Sequence, residues 1–184
     1  MRTILSRALA ELNAHRSVVL VTIVAEQGSA PRGPGSQMLV GADGQLTGTI
    51  GGGQVERQSE LLALSLLKEQ RSQIQHFALT QAGADSLGMA CGGDVTVLFQ
   101  FIPWDDAAWR SLTAAAVQAL RENRPGWLVL RAEGSAPALL DEQGTPLVGA
   151  FASAHLPIRP AVLTDGVLCL PLPVGERVVI FGAG

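Results

Sequence analysis

Ser17-Val-Val-Leu-Val-Thr-Ile-Val-Ala25 is an almost unbroken apolar run rich in β-branched residues, the pattern of a strand covered on both faces. It predicts a central strand, and the rest of the fold is read outward from it. Upstream, Ile4, Leu5, Ala8, Leu9 and Leu12 recur at helical spacing, with Arg2, Arg7 and Glu11 assigned to the solvent side of an amphipathic first helix. Downstream, Gln27-Gly-Ser-Ala-Pro-Arg-Gly-Pro-Gly35 crowds turn-forming residues together and predicts a loop. Gln37–Val40 and Leu46–Ile50 flank Gly41-Ala-Asp-Gly44, whose Asp-Gly pair signals an antiparallel hairpin.

From Gln54 to about Arg71 a second helix is predicted by Val55, Leu62, Leu66 and Leu67 on one face, with Glu56, Arg57, Glu60 and Lys68 on others. Ile74–Leu79 and Asp94–Ile102 read as strands separated by the turn Gly88-Met-Ala-Cys-Gly-Gly93. Asp105 is the expected N-cap of a third helix with Ala108, Leu112, Ala115, Ala116 and Ala119 on one stripe, ending before Pro125-Gly126. Trp127–Leu130, Pro137–Leu140 and Val167–Leu170 suggest short strands extending the same sheet. Arg177-Val-Val-Ile-Phe-Gly-Ala-Gly184 reads as a buried strand entering the first half of a Gly-x-Gly-x-x-Gly turn. The expected class is α/β: a mixed sheet flanked by helices, with the truncated start of a Rossmann-like domain at the C-terminus.

Composition narrows the function. With 184 residues, 47% of them hydrophobic, the chain has ample material for a core. A net charge of −3 and scattered Lys and Arg present no basic stripe, so neither nucleic acid nor an anionic membrane surface is expected as a partner. Two cysteines, Cys91 and Cys169, suit a reducing compartment, and the N-terminus lacks the apolar centre of a signal peptide. A cytoplasmic location is expected. His15, His76 and His155 show no metal-ligand spacing, and there is neither a nucleophile elbow nor a Walker A lysine.

Three glycine-rich loops remain as carriers of chemistry. In the first, Arg32 offers a planar guanidinium suited to phosphate or carboxylate; its plain structural reading is a rigid surface turn. The second, Gly48-Thr-Ile-Gly-Gly-Gly53, feeds a helix whose unpaired amides suit an anion, although three glycines also serve a tight strand-to-helix turn. Glu56 lies in that helix's first turn, and it shares a face with Glu60 that is otherwise simply solvated. In the third, Cys91 beside Gly92 is either a thiolate for a soft metal or persulfide, or a small buried hydrophobe. Cys169, alternating within an apolar strand, is assigned to the core.

Taken together, Gly28-Ser-Ala-Pro-Arg-Gly-Pro-Gly-Ser-Gln-Met-Leu-Val40, Gly48-Thr-Ile-Gly-Gly-Gly-Gln-Val-Glu56 and Gly88-Met-Ala-Cys-Gly-Gly93 closely resemble the XdhC/CoxI family of xanthine dehydrogenase accessory proteins. The resemblance covers residues 10 to 103 well, the middle loosely, and the final strand as the start of the family's Rossmann-like domain. It divides the chain into a core domain (1–103), an extension of helix and short strands (104–176) and that first strand (177–184). It implies a chaperone more than an enzyme, one that binds molybdenum cofactor transiently, supports its sulfuration by a cysteine desulfurase and inserts it into a xanthine dehydrogenase-type molybdenum hydroxylase. Homo-oligomerisation is also implied. On this basis the cofactor's phosphate is expected at Gly51, Gly52 and Gly53 beside Glu56, with Arg32 as a second charge. Gln54 is expected to hydrogen-bond the pterin, and Cys91, with Gly92, to face the molybdenum. Some relatives carry cysteine where this chain has Gln54, so a two-cysteine site is not expected. The competing functions are a nucleotide-dependent oxidoreductase fragment, suggested by Phe181-Gly-Ala-Gly184, and a non-catalytic protein-interaction domain.

Overall fold

The structure is a computed structural model that describes residues 1–30, 32–78, 93–131, 137–151, 156–159, 161–162 and 166–173. The first helix, α1, spans Arg2–Asn13. The apolar run then forms β1 (Val18–Gln27), and the expected hairpin follows as β2 (Gln37–Gly41) and β3 (Gly44–Gly48). Helix α2 (Gly53–Glu69) leads to β4 (Gln73–Ala78), β5 (Asp94–Ile102) and helix α3 (Ala107–Arg121). The later strands are β6 (Gly126–Arg131), β7 (Ala138–Asp141), β8 (Pro146–Val148), β9 (Ala161–Val162) and β10 (Val167–Pro171).

β1 is the middle strand of a five-stranded sheet of order β3-β2-β1-β5-β4. Its alternate residues bury on opposite faces. Val19, Val21 and Ile23 join Val97 and Phe99 of β5 under Val55, Ala63 and Leu66 of α2. Val18, Leu20 and Val24 face the other way, into a core shared with Ile4, Leu5 and Leu12 of α1 and Leu112 and Ala116 of α3. Each such aliphatic side chain contributes roughly 1.5–3 kcal/mol when fully buried, so a strand with two covered faces has no room for polar alternation.

The α/β class with flanking helices holds. The described strand pairs, however, are all antiparallel where a mixed sheet was expected. A continuous apolar strand suggests parallel neighbours only because parallel sheets are usually covered on both sides. Here α2 covers one side of an antiparallel sheet, and α1, α3 and a second sheet cover the other. That second sheet, β8-β7-β6-β10-β9, is the other correction: the short strands after α3 pair among themselves instead of extending the first sheet. Their Leu128, Leu130, Leu139, Leu168 and Leu170 enter the same core as α1 and α3. Cys169 is fully buried on the sheet's other face with Val129, Ala138 and Leu140, as expected.

Two carboxylates also differ from expectation. The α3 cap is Asp106, whose carboxylate accepts from the amides of Ala108 at 2.8 Å and Trp109 at 3.1 Å. The helix begins one residue later than the Asp105 assignment required. Glu11 is 4% exposed instead of solvated, because Arg7 (2.8 Å) and Arg16 (2.5 Å) both reach its carboxylate. The expected strand at 177–184 lies outside the described residues.

Candidate functional site

Antiparallel register brings the strand ends that flank the three glycine loops to one end of the first sheet. Gln27, at the end of β1, pairs with Asp94 at the start of β5, and Asp94 pairs in turn with Ala78 at the end of β4. Gln37, at the start of β2, pairs with Thr22, and the next residue, Met38, pairs with Gly48 at the end of β3. The first loop therefore leaves β1 and joins β2, the second leaves β3 for α2, and the third leaves β4 and joins β5, all at the same end. Residues 79–92 of the third loop, including Cys91 and Gly92, lie outside the described residues.

Where it rejoins the sheet, the first loop is tied to β1. The Gly35 amide donates to the Ile23 carbonyl at 2.8 Å, and the Ile23 amide donates to the Ser36 carbonyl at 2.9 Å. Ala30 packs on the α2 side of the core, and Arg32 is exposed. On its far side the loop contacts the third. A Cβ built on Gly93 would lie 2.5 Å from the Gln27 carbonyl oxygen and 2.6 Å from that of Ser29. Only glycine permits backbones to approach so closely.

The second loop is organised around Glu56. Its Oε2 accepts from the Thr49 hydroxyl at 2.5 Å, the Ile50 amide at 2.9 Å and the Gly52 amide at 3.0 Å. Gly51 donates its amide to the Thr49 hydroxyl oxygen at 3.1 Å. Burial alone would raise the Glu56 carboxyl, but the Thr49 hydroxyl and the Gly52 and Ile50 amides, helped by Gln45, outweigh it and hold the group below the usual carboxylate range. Gly51, Gly52 and Gly53 all have positive φ, at 129°, 74° and 62°. A Cβ on Gly52 would meet nothing within 4 Å, so open space adjoins the loop there. Gln54 is exposed at the start of α2.

The structure thus gathers Gly51, Gly52, Gly53, Gln54 and Glu56 into one turn and places Arg32 on the neighbouring loop. Thr49 and Gly93 are the participants that sequence reasoning missed. Thr49 was legible only in part, since a carboxylate in the first turn of a helix often reaches back to preceding donors. Nothing in the sequence ties Gly93 to Ser29. Beside the loops, His76 lies 3.8 Å from Asp94 and 3.2 Å from the Thr96 hydroxyl, in a depression of about 380 Å³ that also includes Glu26 and Gln27. No cluster of three potential metal-ligating side chains occurs among the described residues. No helix among them is long and apolar enough to cross a membrane.

Comparison with known proteins follows the same loops. Residues 11–78, which contain the first two, match the model of the XdhC and CoxI family. The chain is 44% identical over 78 residues to the uncharacterized protein YqeB of Escherichia coli, a match covering 42% of this chain and 14% of that protein. It is 34% identical over 96 residues to the molybdenum cofactor insertion chaperone PaoD of the same organism, covering 52% of this chain and 30% of PaoD. A crystal structure from Bacillus halodurans, described as a xanthine dehydrogenase, shares the fold with a TM-score of 0.71 at 20% identity, over 97% of this chain and 55% of that one. The chain spans only part of the length of each of these proteins. Through residues 11–78, with their two glycine loops at one end of the sheet, the chain is similar to the XdhC and CoxI family.

Proposed function

We propose that this chain is the cofactor-binding part of an accessory protein for molybdenum-cofactor maturation, acting as a chaperone. The observation that carries the proposal is that the strand ends flanking the three glycine loops meet at one end of the first sheet, with two of those loops inside the family match. The similarity to PaoD, a molybdenum cofactor insertion chaperone, supports the choice of ligand. The residues fit such a group in two respects: open space lies beside Gly52, and Arg32 is an exposed cation for the cofactor's anionic end.

In this reading the cofactor is cargo held beside the turn of Gly51, Gly52, Gly53, Gln54 and Glu56, with Arg32 meeting its anionic end and Cys91 and Gly92 of the third loop facing the molybdenum. The finer parts of the proposal are support for sulfuration with a cysteine desulfurase, delivery to a xanthine dehydrogenase-type hydroxylase, self-association and action in the cytoplasm. So are the division at residues 103 and 176 and the start of a Rossmann-like domain at 177–184.

The test is to mix the purified chain with molybdenum cofactor and quantify molybdenum and pterin that co-elute in gel filtration, with Cys91→Ala and Arg32→Ala alongside. Stoichiometric retention by wild type that falls in the variants is the expected result. A folded wild type that retains nothing overturns the proposal for this chain, and undiminished retention by a variant removes that residue from the site.

A further inference from the structure

Three consecutive loop amides and a hydroxyl are committed to one carboxylate. Ile50 and Gly52 donate to Glu56 Oε2 directly, and Gly51 does so through the Thr49 hydroxyl, which accepts the Gly51 amide and donates its own proton to Glu56. Successive amides in such glycine conformations form concavities that take anions, and here the anion is the protein's own side chain. It reaches back from the first turn of α2, where the helix's partial positive charge also favours it. A simple helix cap satisfies amides at the helix start. Thr49 and Ile50 precede α2, so Glu56 constrains the loop as well as the helix.

We infer that Glu56 is a positioning residue. It fills the anion nest of the second loop, holds Gly51 and Gly52 in their positive-φ conformations, and keeps the three amides from any external anion. Resting on the proposed function for the identity of the ligand, this assigns the anionic end of the molybdenum cofactor to side chains and not to the Gly51–Gly52 backbone. Arg32 on the neighbouring loop is the exposed cation placed to meet it.

The experiment uses the full 184-residue chain labelled with nitrogen-15, with inorganic phosphate as the probe. In wild type, the amide resonances of Ile50, Gly51 and Gly52 are expected to ignore added phosphate. In Glu56→Gln they are expected to move with it, and their hydrogen exchange to quicken by at least about tenfold, since hydrogen bonds to a charged acceptor are lost. Thr49→Val is expected to quicken exchange at the same amides and Thr49→Ser to restore protection, a pattern that general destabilisation does not produce.

Phosphate-dependent movement of these amides in wild type overturns the inference. So does unchanged exchange in both Glu56→Gln and Thr49→Val. Should Glu56→Gln fail to fold, the wild-type titration and the Thr49 pair still decide it. None of these measurements contains the cofactor, so their failure is distinct from a failure of cofactor retention.

Discussion

Gly93 and Ser29 lock the first and third loops together: a Cβ on Gly93 would sit 2.6 Å from the Ser29 carbonyl oxygen and 2.7 Å from its amide nitrogen. Backbone cannot yield as a flexible side-chain tip does, so Gly93→Ala must push the Gln27–Ser29 segment away from β5. The expected cost is roughly 1–3 kcal/mol, as for other overpacked sites. Urea unfolding of the variant checks this; a midpoint equal to wild type would show that the loops do not bear on one another.

Gly48 and Gly52 separate two uses of glycine. Both have positive φ, 85° and 74°, but a Cβ on Gly48 would lie 2.4 Å from the Gln37 carbonyl oxygen, whereas one on Gly52 meets nothing. Gly52→Ala is expected to cost only the left-handed strain, about 1 kcal/mol. Gly48→Ala adds a backbone clash to that strain and is expected to cost about 3 kcal/mol or more. Thermal melts of the two variants side by side check the order. Equal losses would contradict the open space beside Gly52.

Much of this organisation was legible in the residues. β-branched runs, the Asp43-Gly44 turn and the heptad-like spacing in α2 report local preferences, and these elements appear within a few residues of expectation. Relations between distant elements were not legible. An apolar strand such as β1 records that both faces are covered, not what covers them, so neither strand direction nor the separate second sheet followed from it. Charged residues misled for a more local reason. Glu11 falls at a polar-looking position on α1, and the turn after the helix brings Arg16 to it. At the candidate site, the glycines announced tight turns, while the partner that fills the second loop, Glu56, lies on the following helix.

Asp106, and not Asp105, starts α3. Replacing an Asp N-cap by Ala usually costs about 1 kcal/mol, and Asp106 satisfies two amides at once. Asp106→Ala is therefore expected to lower stability by about that amount, while Asp105→Ala stays within about 0.5 kcal/mol of wild type. Denaturant unfolding resolves the two. A larger loss in Asp105→Ala would move the cap back.

Glu11 gives stability an acid-sensitive component. The Arg16 hydrogen bond, opposed by burial and supported by the charges of Arg16 and Arg7, holds its carboxyl below the ordinary value of 4.5. A folded-state value below the unfolded one means that stability is fully present above about pH 5 and drains away as pH falls through the depressed folded value. Glu11→Gln should therefore flatten the acid limb of a stability–pH curve. Wild type and variant curves that stay parallel below pH 5 would remove Glu11 from that role.

Cys169 should be chemically silent while the second sheet is intact. Burial between Val129 and Leu140 pushes its thiol up to about 11, which leaves about a thousandth of it as thiolate at pH 8. The reagent must also reach a side chain with no exposed surface. Alkylation of the native chain with iodoacetamide, followed by peptide mass analysis, is expected to leave Cys169 unmodified and to modify it once urea unfolds the chain. Cys169→Ser places a hydroxyl among Val129, Ala138 and Leu140 and is expected to cost roughly 1–3 kcal/mol, more than Cys169→Ala. Rapid native labelling of Cys169 would mean that the second sheet opens readily without global unfolding.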